Sequence, residues 1–252
     1  MHYFSLMRTW LYRAIQWLRR FLKRHFHADN PNLPYYITIL VAAVFFVVAL
    51  NAFVEISEEL VENELEEIDQ RVTDFVVSFR SDGLTSFLTF MTHMGDRYAY
   101  LVIGLGLGVI LYMRQKSWRF VLQTVLIMAL STISNVVLKE VFNRQRPGEE
   151  HLVSVDTLSY PSGHSMSAMA FYGFLIFLTF QSPVRKRIRS AIAALLVMVI
   201  LLVGLSRIYL GVHYPSDVAA GYMGGLIWVT FCVMAFNIIT LYRKRSNHAE
   251  AE

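Results

Sequence analysis

The stretch "YYITILVAAVFFVVALNAFV", residues 35–54, contains no charged residue along its whole length. A bilayer core about 30 Å thick needs roughly 20 apolar residues in a helix to cross it, so this stretch predicts a transmembrane helix. More than thirty residues precede it, which favours an uncleaved first span over a signal peptide. The composition agrees, because 55% of the 252 residues are hydrophobic and only 17% are charged.

Beyond this stretch, the sequence contains five further apolar segments. Their lengths and composition predict an all-α, polytopic membrane helix bundle with six transmembrane helices. No internal repeat or linker divides the sequence, so residues 1–252 are expected to form a single domain whose catalytic core is residues 96–242. The six predicted spans are residues 35–54, 98–113, 120–142, 164–180, 191–206 and 218–241.

The basic residues predict the orientation of the bundle. Of the 23 Lys and Arg residues, 16 lie before the first span, in the second–third and fourth–fifth connections, and after the sixth span. Six crossings place all these segments on one side, and the positive-inside rule makes that side cytoplasmic. We therefore expect a multi-pass plasma membrane protein with both termini in the cytoplasm. Because the basic residues lie mainly in these inner segments, they do not indicate nucleic-acid binding.

Two segments outside the spans have amphipathic character. Residues 1–33 interleave Trp and Leu with Arg, which predicts a helix on the cytoplasmic leaflet, with a flexible basic tail as the alternative. From Glu55 the sequence is acidic with apolar residues at helical spacing, which predicts an amphipathic helix on the outer surface within residues 55–95. Residues 84–95 are too short to span and are expected to enter the interface or to pack on the bundle.

Charged residues near a membrane usually mark a functional site, and the first group of them ends the third predicted span. Lys139 and Arg146 lie seven residues apart, so both can face one point if the helix continues. Two such cations repel each other unless an anion lies between them. Anchoring at lipid headgroups is the alternative for both, and Arg144 is assigned to anchoring alone.

The second group, "PSGH" at residues 161–164, begins the fourth predicted span. The amide groups and positive end of a helix N-terminus form a ready anion site, and Gly163 allows a ligand to approach the backbone closely. Ser162 and His164 lie at the same helix start. A helix cap for Ser162 and a structural hydrogen-bonded role for His164 are the alternatives.

The third group, "SRIYLGVHYPSD" at residues 206–217, joins the fifth and sixth predicted spans. Arg207 offers a forked donor suited to phosphate oxygens. His213 and Asp217 are four residues apart, so one helical turn can bring the carboxylate to the imidazole and orient it as a nucleophile. A capping Asp with an interfacial His is the alternative.

All three groups fall on one predicted membrane face, at the ends of consecutive spans, and together they predict an anion site with two histidines. They resemble the three-part signature of the type 2 phosphatidic acid phosphatase superfamily, the membrane lipid phosphate phosphatases. The resemblance covers roughly residues 95–240. The matching blocks are Lys139-x6-Arg146-Pro147, Pro161-Ser162-Gly163-His164 and Ser206-Arg207-x5-His213-x3-Asp217.

The resemblance implies a reaction that needs no metal and no cofactor. His213 would form a phosphohistidine with Asp217 orienting it, and His164 would act first as general acid and then as general base. One neutral and one protonated histidine predict a bell-shaped pH profile around neutrality. The residues expected to hold the phosphate are Lys139, Arg146, Ser162, Gly163 and Arg207.

The substrate is expected to be a lipid phosphate at the extracytoplasmic face of the membrane. Undecaprenyl diphosphate, phosphatidylglycerol phosphate and phosphatidic acid are the candidates, and the motifs do not separate them because they bind only the shared phosphate. A transporter of anionic lipids or a non-catalytic lipid-binding protein is the alternative. Transport sites commonly lie near mid-bilayer, whereas these groups lie at helix ends. The sequence leaves the oligomeric state open.

Overall fold

The computed structural model of the chain describes residues 29–148, 150–155 and 157–249, together with residues 10, 12, 13, 16, 20, 26 and 27. Within these residues the regular structure is helical throughout, as the sequence predicts. The predicted N-terminal amphipathic helix lies mostly outside the described residues. The helices, in chain order, are α1 (Leu33–Val61), α2 (Glu66–Val77), α3 (Asp82–His93), α4 (Arg97–Gln115), α5 (Arg119–Phe142), α6 (Gly163–Gln181), α7 (Lys186–Tyr209) and α8 (Pro215–Ala249).

Five of the six predicted spans correspond to helices that are long and apolar enough to cross a membrane by themselves. In the described part of the chain, α1, α5, α6, α7 and α8 are each long and apolar enough to cross a membrane. The second predicted span corresponds to α4, which meets the same criterion only together with α3. These two helices are bent by 57° at the short break between them, so they form one broken span or a re-entrant segment.

The residues that carry the sequence motifs lie in one compact unit, residues 45–232. Within it, α7 packs against α6, α3 and α2, while α5 packs against α4 and α6. Aromatic side chains fill the space between α4, α6 and α7, where Tyr100, Phe171 and Val203 are buried in one cluster. A second unit contains residues 1–44 and 233–252, in which the Lys244 ammonium lies 4.5 Å from the centre of the Tyr35 ring.

The acidic segment from Glu55 differs from the single amphipathic helix that the sequence predicts there. α1 continues through this residue to Val61, because glutamates beyond the apolar stretch are compatible with a helix that leaves the membrane. The chain then turns at Asn63, whose φ is 62°, and begins α2. α2 is also not confined to the surface, since Asp69 and Thr73 are buried.

The short helix α3 packs on the bundle, which was one of the two placements expected for residues 84–95. Its Leu88 and Thr92 are buried, and it packs against α7. Leu88 belongs to a cluster with Tyr209 and Leu210, at the point where α7 ends. α3 therefore reaches the loop that carries the third sequence motif.

Candidate active site

His213 lies in the short loop between α7 and α8, with only 2% of its surface exposed. Since α8 begins at Pro215, its first turn carries Asp217 back to the imidazole. The Asp217 Oδ2 atom is 3.5 Å from His213 Nδ1, and His213 Nε2 accepts a hydrogen bond from Arg146 Nη1 at 3.2 Å. An arginine can only donate, so the neutral ring carries its proton on Nδ1, towards the carboxylate.

Asp217 is fully buried, and donors other than His213 fix its position. Arg144 Nη1 donates to Oδ1 at 2.8 Å. Oδ2 accepts hydrogen bonds from Ser159 Oγ at 2.5 Å and from the Tyr214 backbone N–H at 2.8 Å. A buried carboxylate is costly unless it is paired and hydrogen-bonded, so these donors stabilise it and fix the oxygen that faces the imidazole.

Arg144 connects Asp217 to α2, so its interpretation as a headgroup anchor is wrong. The side chain is 15% exposed, and its Nη2 donates to Asp69 Oδ2 at 2.7 Å. The cause is the end of α5 at Phe142, after which Asn143 adopts a left-handed conformation and redirects the chain. Asp69 and Arg144 are 75 residues apart, so no local spacing could have revealed the pair.

Asp69 also holds the first turn of α8. It is 2% exposed and accepts hydrogen bonds from the Ser216 backbone N–H at 2.9 Å and from Ser216 Oγ at 2.5 Å. The first amides of a helix have no partner within the helix, and Asp69 supplies one from α2. The Arg144 guanidinium lies 4.3 Å from the centre of the Tyr214 ring. Through these contacts α2 is joined to the turn that presents Asp217.

Lys139, Arg146 and Arg207 are close enough to repel one another electrostatically. The sequence analysis brought Lys139 and Arg146 together on one face of a continuing helix, but α5 ends at Phe142, so that route is wrong. The loop after α5 nevertheless returns Arg146 to the site, where it reaches His213. Lys139 is 9% exposed and its Nζ donates to the Leu158 carbonyl.

Arg207 is the most deeply buried of these cations, with 3% of its surface exposed. Its Nη1 donates to Thr92 Oγ1 at 2.8 Å, while its buried Nε has no hydrogen-bond partner among the described residues. Leaving a buried N–H of a charged group unpaired is costly. An oxyanion would satisfy this donor, and the phosphate-binding role of Arg207 stays a prediction.

The "PSGH" turn forms the start of α6. Ser162 is its N-cap, and Ser162 Oγ accepts hydrogen bonds from the Ser165 backbone N–H at 3.4 Å and from Ser165 Oγ at 3.0 Å. At Gly163 a Cβ atom would lie 3.0 Å from Asn135 Oδ1, and Asn135 Nδ2 donates to the Pro161 carbonyl at 3.0 Å. The cap and the side chain of α5 together fix the turn.

His164 contacts a carboxylate that the sequence motifs do not include. Its Nε2 is 2.8 Å from Asp96 Oδ1, and Asp96 Oδ2 is 2.8 Å from His93 Nδ1. Asp96 lies between α3 and α4, 68 residues before His164, so the sequence analysis missed it.

The two histidines belong to one site, because Arg146 and Arg207 act electrostatically on both His164 and His213. Burial lowers the pKa of His213 to about 3, even though Asp217 favours the charged ring. His213 is therefore neutral at physiological pH. This moves the acid limb of the expected bell-shaped pH profile well below the pKa of about 6.5 that an ordinary histidine has.

A cavity of about 360 Å³ opens beside the site. Arg144 and Arg146 line one part of it, and Glu66 of α2 lines another. An apolar groove of about 400 Å³ lies next to this cavity and shares Val61 and Phe142 with it. A polar space thus continues into an apolar surface formed by α1 and the end of α5.

Three comparisons with known proteins agree on one family. The family model of the PAP2 superfamily matches residues 120–240. Phosphatidylglycerophosphatase B of Bacillus subtilis is 31% identical over 176 residues, which cover 69% of this chain and 86% of the relative. The undecaprenyl-diphosphatase of Sulfolobus acidocaldarius is 28% identical over 150 residues, covering 59% of this chain and 68% of the relative.

The fold is also similar to a solved structure. The crystal structure of a transmembrane PAP2-type phosphatidylglycerolphosphate phosphatase from Bacillus subtilis superimposes with a TM-score of 0.71 at 29% sequence identity. The match covers 76% of this chain and 95% of that structure. Together with the apolar helices, these similarities identify the chain as a multi-pass membrane protein.

Proposed function

Because this chain belongs to the PAP2 superfamily, we propose that it is a membrane phosphatase that hydrolyses a lipid phosphate or diphosphate through a phosphohistidine. One observation carries the proposal. His213 is buried and neutral, its Nδ1 faces Asp217 and its Nε2 meets Arg146. A neutral imidazole whose Nε2 lone pair faces a cation is suited to attack a phosphorus atom once that cation binds the phosphate oxygens instead.

In the first step, His213 Nε2 attacks phosphorus, an N–P bond forms and the P–O bond to the lipid breaks. His164, protonated, gives its proton to the departing oxygen. The ring of His213 gains positive charge as the bond forms, and the buried Asp217 stabilises that charge. The His213 proton stays on Nδ1 throughout this step.

In the second step, the neutral His164 accepts a proton from water as the water oxygen attacks phosphorus. The N–P bond breaks and inorganic phosphate forms. His213 returns to its neutral state and His164 is protonated again, so the cycle needs no external proton source. The same side chain serves as acid and then as base, as microscopic reversibility favours for a two-step transfer.

The phosphoryl oxygens would be held by the three cations and by the start of α6. Lys139, Arg146 and Arg207 lie close to one another, and the buried Nε of Arg207, which has no partner among the described residues, offers one donor to a phosphoryl oxygen. Cations fixed around a transferring phosphoryl group stabilise the charge of its transition state. Ser162 and Gly163 would contribute through the helix start.

We propose that the reaction is independent of metal ions. Side chains of the protein supply the positive charge that a metal ion would otherwise provide, so EDTA is expected to leave the rate unchanged. In the described part of the chain no group of three or more His, Cys, Asp and Glu side chains has the geometry to hold a metal ion. A loss of activity in EDTA that zinc or magnesium restores would contradict this part of the proposal.

The surroundings of the site support the proposed substrate class. The polar cavity beside Arg146 fits a phosphate headgroup, and the adjoining apolar groove at Val61 and Phe142 fits the start of a lipid tail. Undecaprenyl diphosphate, phosphatidylglycerol phosphate and phosphatidic acid share this chemistry. We further propose, from the distribution of basic residues, that both termini are cytoplasmic and that the site opens at the extracytoplasmic face of the plasma membrane.

The test is phosphate release by the full chain in detergent from each of these three lipids, with EDTA present. His213→Ala is expected to lower the rate by about 10⁴-fold or more, because the nucleophile is lost. His27→Ala, which changes an exposed histidine, is the matched control and is expected to retain the rate. If the unaltered protein releases no phosphate from any of the three lipids, lipid binding or transport becomes the better account.

A further inference from the structure

The structure points to a second histidine–carboxylate pair in the site. We propose that Asp96 is a positioning residue for His164, and that it directs the Nδ1 side of that ring to the departing oxygen. The pair is formed by His164 Nε2 and Asp96 Oδ1 at 2.8 Å, with His93 Nδ1 at 2.8 Å from the other carboxylate oxygen. This inference rests on the proposed function, in which His164 is the general acid and base.

Asp96 occupies the N-cap position of α4, but its side chain does not cap the helix. It precedes α4 with an extended backbone (φ −85°, ψ 153°), as the N-cap residue of a helix does. An Asp at this position ordinarily accepts a hydrogen bond from an amide of the first turn. The Asp96 side chain makes no such bond to the described residues of α4, and both carboxylate oxygens face histidines instead.

The neighbouring Gly95 allows this turn to lie against His164. A Cβ atom on Gly95 would lie 3.0 Å from His164 Cδ2 and 2.7 Å from Val203 Cγ1. Any larger residue would displace the turn or the imidazole. The break between α3 and α4 is therefore packed directly on His164, which fixes the distance between the ring and the carboxylate.

The contact determines which ring nitrogen reacts. The Asp96 carboxylate accepts a hydrogen bond from Nε2–H of His164, so that proton stays on Nε2, facing Asp96, in both the charged and the neutral ring. The proton that leaves in the first step must then come from Nδ1, and the same Nδ1 lone pair takes the proton of water in the second step. His213 uses the opposite arrangement, with Nδ1 held by Asp217 and Nε2 reacting.

The charged groups that act on His164 are Asp96, Arg207 and Arg146, while His93 and His164 act on Asp96. Only Asp96 among these three neighbours of His164 is negative, and a negative neighbour favours the protonated imidazole. Replacing it by a neutral residue leaves two arginines, which favour the neutral ring. The general acid would then lose its proton at a lower pH.

The test compares Asp96→Asn with Asp82→Asn, a matched change at an exposed aspartate of α3. Phosphate release from phosphatidic acid is measured from pH 5 to pH 9. We expect Asp96→Asn to lower kcat by about tenfold to a hundredfold, a part of what general acid catalysis contributes, and to move the alkaline limb to lower pH. Asp82→Asn is expected to follow the unaltered protein. Asp96→Glu, which keeps the carboxylate, should return the alkaline limb towards its original position.

A second substrate separates positioning of a proton donor from a purely structural role. Nitrophenyl phosphate releases a stable anion that needs little protonation in the first step, so Asp96→Asn should slow the first-turnover release of nitrophenolate by less than about threefold. An unshifted alkaline limb, or equal losses with both substrates, would overturn the inference while leaving the proposed function intact. If the unaltered protein hydrolyses neither substrate, the proposed function fails and this inference fails with it.

Discussion

The two histidines of the site are each paired with a carboxylate, but their surroundings differ. In the His213 pair, formed with Asp217, the carboxylate is fully buried and is held by Arg144, Ser159 and a backbone amide. In the His164 pair, formed with Asp96, the carboxylate side chain is 34% exposed and contacts only histidines among the side chains described. One pair is buried and held by fixed donors, and the other is partly exposed to solvent.

This difference corresponds to the chemistry proposed for each ring. A nucleophile must be neutral and fixed in direction, and burial provides both conditions for His213. A group that gives a proton to the product and takes one from water must remain accessible to both, and the partly exposed His164 pair provides that access. Similar residue types therefore acquire different roles through burial and through the partners of the carboxylate.

The largest effect expected from this comparison is the loss of the buried carboxylate. Asp217→Asn should lower kcat by about 10³-fold to 10⁴-fold, because an amide neither holds the required tautomer nor stabilises charge on the ring. Asp74→Asn, an exposed change in α2, is the control. The rate of phosphate release is the measurement. If Asp217→Asn and Asp96→Asn cause equal losses, the distinction between the two pairs is wrong.

A smaller effect is expected at Arg144, which donates a hydrogen bond to the Asp217 carboxylate of the His213 pair. Arg144→Leu leaves two buried carboxylates, Asp69 and Asp217, without their shared partner, and should cost about 3 kcal/mol of stability. It should also lower kcat, by about tenfold to a hundredfold, because Asp217 loses a fixed donor. Thermal unfolding in detergent and phosphate release measure the two effects.

The control for that prediction is an exposed arginine that also has an acidic partner. Arg71 pairs with Glu67 within α2, with about three quarters of each side chain exposed, so Arg71→Leu should cost less than about 0.5 kcal/mol. Equal losses of stability for Arg71→Leu and Arg144→Leu would show that the connection from α2 to Asp217 contributes nothing particular. Asp69→Asn is expected to resemble Arg144→Leu with a smaller loss.

The smallest of these effects is the pH dependence that burial of His213 gives to stability. Its pKa in the folded protein is about 3, below the ordinary value of 6.5, so the unfolded chain binds more protons between these values. Stability should therefore fall as the pH decreases from 6.5 towards 3, by about 2.7 kcal/mol at pH 4.5 from this group alone. His213→Gln, which cannot titrate, should show a correspondingly smaller difference in unfolding temperature between pH 7.5 and pH 4.5. An unchanged difference would mean that His213 is not held neutral.

Much of this architecture follows from local sequence patterns. Apolar length predicts the spans, because the bilayer demands it of each helix separately. The spacing from His213 to Asp217 predicts their contact, because one turn of α8 is enough to produce it. Ser162 at the start of α6 is equally local, and its helix cap was an alternative considered from sequence.

The residues that the sequence analysis missed depend on contacts between distant segments. Asp96 meets His164 because the chain breaks between α3 and α4, and no periodicity marks that break. Arg144 meets Asp69 because α5 ends at Phe142 and because α1 and α2 are separate helices. Amphipathic spacing in the acidic segment indicated a helix but could not show that its polar face is partly buried.

A phosphohistidine on His213 is tested most directly by trapping the phosphorylated protein. The full chain is mixed with phosphatidic acid labelled in its phosphate, quenched within milliseconds in alkali, where phosphohistidine survives, and digested to locate the label. Label is expected on the peptide that contains His213, formed before free phosphate appears, and no label is expected in His213→Ala. Rapid phosphate release with no label on the unaltered protein, or label that persists in His213→Ala, would contradict the proposed phosphohistidine.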